Sequence, residues 1–154
     1  MTSWFSTPER VGLLMRECEG WLSTPFSGNG ATRGIGVSCQ KLVGALYDAT
    51  SAPGILATVP DEPMGYWRFA RTSLVEPWLD GRKEFARVPD ALARHAIPGD
   101  LIGFRLGRIV HHMGCAIDQP GRFIHCTESA GVNYASLSDS TWKQRFAIIW
   151  RPVP

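Results

Sequence analysis

No apolar run in this chain approaches the roughly 18 residues that a membrane-spanning helix needs. Nor does the N-terminal MTSWFSTPER hold a basic region followed by an apolar core, so no signal peptide is expected, and synthesis is expected in the cytoplasm. Charge of one sign is equally scarce. Lys and Arg number 16 against 14 Asp and Glu, a formal charge of +2, and the two signs are interspersed, as in Arg82, Lys83 and Glu84. Without a block of like charges, no nucleic acid or anionic surface is implied as a partner. The four cysteines, Cys18, Cys39, Cys115 and Cys126, contain no C-x-x-C pair, and nothing argues for an oxidising compartment, so free thiols are expected. Repeats and low-complexity segments are missing as well.

What is present suits one ordinary domain spanning residues 1–154. Hydrophobic residues at 44% and charged residues at 19% exclude disordered and fibrous classes. Thr7-Pro8-Glu9 reads as N-cap, first-turn proline and dipole-matched acid. Val11, Leu14, Met15, Cys18 and Leu22 follow at helical spacing, which predicts a helix over about 8–21 with Cys18 as a buried structural thiol. The next stretch, with Gly28, Gly30, Gly34 and Gly36, predicts an irregular loop. Ser38 can then cap a second helix whose buried face is Leu42, Val43, Leu46 and Tyr47 and which fades near Ala49. Residues 61–95 read as helical and irregular, broken by Pro63, Pro77 and Pro89. After Pro98-Gly99-Asp100 come short β-rich runs, LIGF, RIVHHMGCAI, RFIHC, VNYASL and RFAIIW, separated by turn signals such as DQPG and SAG. Helices first and strands afterwards predict an α+β fold, an antiparallel sheet with the second helix packed on it.

Cys39 falls on the first turn of that helix, where unpaired N–H groups and the macrodipole favour a thiolate. A nucleophilic cysteine also needs a base. Of the four histidines, His95 sits near an expected helix end and reads as structural, while His111, His112 and His125 lie on expected strands. The two-residue period separates His112 from its neighbour His111, so only one of them can face the helix. A hairpin closed by DQPG with Ile117 opposite Arg122 pairs 114 with 125 and makes His112 and His125 diagonal neighbours on one face. That arrangement suits a base and its orienting partner, with His112 taking the proton of Cys39. Cys115 and Cys126 fall off that face. A metal centre would need ligands from both sides of the sheet, so no metal is expected.

The order of GIGVSCQKLVGALY, PGDLIGF, HHMGCAID and GRFIHCTESAGV resembles the NlpC family of papain-like cell-wall cysteine peptidases, particularly its compact phage-associated branch. The resemblance runs from Trp21 to Trp150. It implies a papain-like fold with Cys39 as nucleophile, His112 as general base and His125 as third polar residue. It further implies peptidoglycan stem peptides as substrate, often at the bond between D-glutamate and a diamino acid, and no organic cofactor. Three positions depart from the family pattern. Ser38 stands where aspartate is usual, Gln40-Lys41 replace small residues, and Phe26 stands where many members carry a tyrosine that helps to bind substrate or oxyanion. The backbone N–H of Cys39 remains as an oxyanion donor. The alternative reading is a phage tail or assembly component with the same fold, weakly active or inactive, having tail proteins as partners. Either kind of protein, virion-associated or delivered to the cell wall, fits a chain without a signal peptide.

Overall fold

The computed structural model describes residues 1–118 and 121–154. The first helix, α1 (Pro8–Trp21), begins where Thr7 accepts a hydrogen bond from the Arg10 N–H, and it buries Leu14, Cys18 and Trp21. In the glycine-rich stretch, expected to be irregular, a minimal antiparallel hairpin forms from β1 (Ala31–Thr32) and β2 (Gly36–Val37). Strands of two residues leave no periodicity to read. Helix α2 (Cys39–Thr50) starts at an extended Ser38 whose hydroxyl accepts the Lys41 N–H at 3.2 Å, and buries Leu42, Val43, Leu46 and Tyr47.

The irregular middle holds a 3-10 turn (Ile55–Thr58), two short helices, α3 (Tyr66–Phe69) and α4 (Val75–Asp80), the strand β3 (Phe85–Arg87) and a second 3-10 turn (Ala93–His95). The five β-rich runs become β4 (Leu101–Leu106), β5 (Ile109–Ala116), β6 (Arg122–Thr127), β7 (Gly131–Ser136) and β8 (Phe146–Pro152). An unforeseen helix, α5 (Ser140–Arg145), precedes the last of them. Strands β3 to β8 form one antiparallel sheet in the order β3-β8-β4-β5-β6-β7. The fold is α+β, as expected. So is the β5–β6 register: Gly114 pairs with His125, and the Ile117 N–H donates to the Arg122 carbonyl at 2.9 Å. Of the turn that closes this hairpin, Gln119 and Pro120 lie outside the described residues.

The two faces of the sheet have separate cores. Met113, Cys115, Ile124 and Cys126 pack with Leu42, Val43 and Leu46 of α2, whereas Ile102, Phe104, Ala116 and Phe123 pack with Trp142 of α5. Pro98-Gly99-Asp100 supports the entry to β4. Gly99 has φ +88°, and a Cβ there would run into the Phe5 ring, so glycine is required twice over. The Tyr47 hydroxyl donates to the Gly99 carbonyl at 2.8 Å. Asp100, fully buried, accepts from Arg151 Nε at 2.8 Å and Nη2 at 2.7 Å. Among the described residues no helix is long and apolar enough to cross a membrane.

Candidate active site

The start of α2, the start of β5 and the end of β6 meet at one end of the sheet, around a cavity of about 330 Å³. Cys39 lines it from the first turn of α2, and His112 lines it from β5. Behind His112 stands His125, its Nδ1 2.9 Å from His112 Nε2. Both histidines are buried, at 5% and 2% exposure. Trp142 covers the pair, stacked on the His112 ring at 4.9 Å between centroids and edge-on to His125 at the same distance.

The route by which His112 reaches the cavity differs from the expected one. A His112 facing the helix was the expectation. Instead α2 lies over the Met113, Cys115, Ile124 and Cys126 face, while His112 and His125 share the opposite face with Phe104 and Phe123. The two faces meet around the end of the sheet, where both Cys39 and His112 open into the cavity. No hydrogen bond joins Cys39 Sγ to either ring nitrogen of His112 among the described residues. The other paired histidine, His111, places its Nδ1 2.8 Å from Glu62 Oε2 at the cavity wall, and its carbonyl accepts from Gln40 Nε2 at 3.1 Å. Ser38 lines the cavity while capping α2, and Phe26, bridged to Val37, presents an apolar ring with no hydroxyl.

Electrostatics also depart from the expectation of a thiolate at the helix start. Burial pushes the Cys39 thiol up to about 12; hydrogen bonding from the Met113 and Gln40 backbones pulls it down without offsetting the lost hydration, and the nearby Glu62 carboxylate pushes the same way as burial. Burial likewise holds His112 well below the ordinary imidazole value, helped by repulsion from His125, His111 and Arg145. His125 is lowered to about 4 by burial, against the hydrogen bond to Asn133. The resting pair is therefore a neutral thiol and a neutral imidazole, suited to proton transfer during attack rather than to a preformed ion pair.

Two side chains at this site have little signature in the sequence. Asn133 lies directly across from His125 in the β6–β7 ladder, with Oδ1 3.1 Å from His125 Nε2. Register extended one strand further from the β5–β6 hairpin would have found it. Trp142 had no such signal, because α5 is six residues long and its periodicity is unreadable. Among the described residues no group of three or more His, Cys, Asp or Glu side chains is placed to hold a metal ion.

Two solution tests follow from this geometry. Cys39 and Cys126 line the cavity, whereas Cys18 and Cys115 are sealed in the core. In the native state iodoacetamide should label Cys39, 6% exposed, before Cys126, which is 2% exposed and donates its thiol to the Val37 carbonyl, at rates that climb steadily from pH 7 to pH 10, and leave the other two untouched. Peptide mapping checks this, and equal labelling of all four would contradict it. The second test concerns acid. An unfolded imidazole protonates near 6.5, whereas folded His125 resists until about 4, so the unfolded chain binds more protons in that window and stability falls as pH is lowered through it. His125 alone contributes on the order of 3 kcal/mol of this loss, and His112 acts in the same direction. Urea unfolding at pH 7 and pH 4.5 should show the fall, and His125→Gln should make it smaller, with the share of His112 remaining.

Residues 24–151 match the model of the NlpC/P60 family. Among solved structures, the chain is similar to an NLP/P60-family protein from Staphylococcus aureus described as similar to a lipoprotein. The TM-score is 0.68 and the identity 20%, and the match covers 100% of this chain and 45% of that one. It is similar also to the NlpC/p60 domain of the peptidoglycan hydrolase SagA (TM-score 0.58, 14% identity, 90% and 96% covered). A third is the peptidoglycan hydrolase RipB from Mycobacterium tuberculosis (TM-score 0.56, 15% identity, 93% and 64% covered). The chain thus spans less than half the length of the staphylococcal protein, and at these identities the likeness speaks for the fold. No curated protein matches the chain.

Proposed function

Since the chain belongs to the NlpC/P60 family, we propose that it is a cysteine peptidase or amidase that cleaves an amide bond in peptidoglycan stem peptides, with residues 1–154 as its catalytic unit. The observation that carries this reading is the opening of Cys39 and His112 into one cavity, with His112 backed by His125 at 2.9 Å. In the proposed reaction the Cys39 sulfur attacks the scissile carbonyl as its proton passes to His112 Nδ1. His112 then returns the proton to the departing amine as the C–N bond breaks, leaving a thioester. Water, deprotonated by His112, cleaves the thioester and restores the thiol. The Cys39 backbone N–H, at the start of a twelve-residue helix, supplies a donor for the oxyanion. Ser38 and the Phe26 ring line the cavity beside it as substrate contacts. No step calls for a metal or an organic cofactor.

A second reading, a weakly active or inactive member serving in assembly, draws support from one observation: the buried thiol lacks a hydrogen bond to His112. One experiment separates the two. The purified protein is incubated with defined muropeptides and the products are read by mass spectrometry. A new free amine and carboxylate at one stem-peptide bond supports the peptidase. Intact fragments throughout, with the protein folded, support the structural member.

A further inference from the structure

The hydrogen bonds behind His112 continue past His125 and settle where the protons lie. Asn133 Nδ2 is 2.8 Å from the Gly131 carbonyl, which can only accept. The carboxamide is therefore oriented with Nδ2 toward Gly131 and Oδ1 toward His125, since the flipped form would set two oxygens against each other. Oδ1 accepts, so His125 Nε2, at 3.1 Å, carries a proton. A neutral imidazole holds one N–H, and burial keeps His125 neutral down to about 4, so its Nδ1 is the acceptor. His112 Nε2, 2.9 Å away, must then be the donor, leaving the lone pair on His112 Nδ1. That nitrogen has no hydrogen-bond partner among the described residues.

We infer that Asn133 is a positioning residue of the active site: by accepting the His125 Nε2–H it fixes the tautomers of both histidines and keeps His112 Nδ1 free as the base toward Cys39. The fold builds this in. Gly131, with φ +67° and a Cβ position only 2.5 Å from the Thr24 carbonyl oxygen, forms the turn that starts β7, and the ladder then sets Asn133 opposite His125. Trp142, covering both rings, keeps water from supplying the same hydrogen bonds without the same direction. The catalytic part of this inference rests on the proposed peptidase reading; the tautomer assignment does not.

The test uses the full chain labelled with 15N-histidine at neutral pH. Long-range 15N–1H spectra should show the proton on Nε2 of both His112 and His125. In Asn133→Leu, similar in size but with no acceptor, the Nδ1–H form should appear in one or both rings, and kcat/KM on the cleaved muropeptide should fall about tenfold or more. Asn133→Asp restores the acceptor, so it should recover the Nε2–H pattern and most of the rate. A proton on Nδ1 of either ring in the unmodified protein overturns the inference, as do unchanged tautomers in folded Asn133→Leu. Should Asn133→Leu fail to fold, the spectra of the unmodified protein and Asn133→Asp still decide the assignment. A protein that cleaves nothing yet shows the Nε2–H pattern would refute the peptidase reading and leave the tautomer assignment standing.

Discussion

On the proposed peptidase reading, Cys39→Ala is expected to lower muropeptide cleavage by on the order of 10⁴-fold or more while leaving the protein folded, because it removes the atom proposed to form the thioester. The side chain sits at the cavity rim with 6% exposure, and the helix is capped by Ser38, not by the thiol. Loss of one sulfur there should shift stability by about 1 kcal/mol or less. His112→Gln should be similarly severe, since His112 is the histidine that lines the cavity with Cys39 while His125 stands behind it at 2.9 Å. His125→Gln acts one step removed and should cost less than either. The measurement is product formation by mass spectrometry beside a thermal melt for each variant. A Cys39→Ala protein that cleaves at the unmodified rate would rule out thioester chemistry.

The largest expected effect on stability lies elsewhere, at the root of β4. Asp100 is wholly buried, and its carboxylate is held by both the Nε and Nη2 of Arg151, with the Ile97 N–H as a third donor. Burial raises the Asp100 pKa, and the Arg151 guanidinium opposes that rise. Arg151→Met keeps most of the side-chain volume but leaves a fully buried carboxylate without its cation, held by the Ile97 N–H alone. Breaking one partner of a buried pair costs about 3–5 kcal/mol. For a chain of this size that corresponds to a melting temperature lower by on the order of 10 °C. Asp100→Asn keeps one acceptor and leaves no buried charge behind, because Arg151 is 12% exposed and can reach water. Its cost should be nearer 1–2 kcal/mol, roughly that of a weakened hydrogen bond. Calorimetry of the two variants checks both magnitude and order. If Arg151→Met were as stable as the unmodified chain, the ion pair would not be what holds this turn.

The Pro98-Gly99-Asp100 turn shows how much of a motif the sequence can carry. As a string it marks the switch from helices to strands, since proline and glycine punctuate the chain locally. That Gly99 must leave room for Phe5, and that Asp100 is met by an Arg151 guanidinium from 51 residues away, are facts of the folded state. The same division runs through the site. The starts of α1 and α2 were legible because capping is decided within four residues, by the hydroxyls of Thr7 and Ser38. The β5–β6 register was legible because a short hairpin and a two-residue period leave one pairing that keeps both apolar sets buried. That sufficed to set His112 beside His125.

Which face of the sheet α2 would cover was not legible. Both faces of β5 are apolar enough to take a helix, with Met113 and Cys115 on one and Gly114 and Ala116 on the other, and the choice depends on α5 and Trp142 filling the second side. Strand β3 and helix α5, three and six residues long, are too short to show a period; pairing with β8 and packing on Phe104 make them. The protonation of Cys39 was out of reach for a related reason. The favourable field of the helix start is a local property that one can read from Ser38-Cys39, but the loss of hydration that outweighs it sums over every residue closing around the sulfur, from Glu62 to Cys126. Sequence by itself determined the candidate nucleophile, the two histidines and the strand pair that joins them, because those follow from caps and alternation. Only the tertiary structure decided that the thiol is neutral, that His112 enters the cavity around the sheet's end, and that Asn133 bonds His125 while Trp142 covers both rings, because desolvation and long-range packing have no local signature.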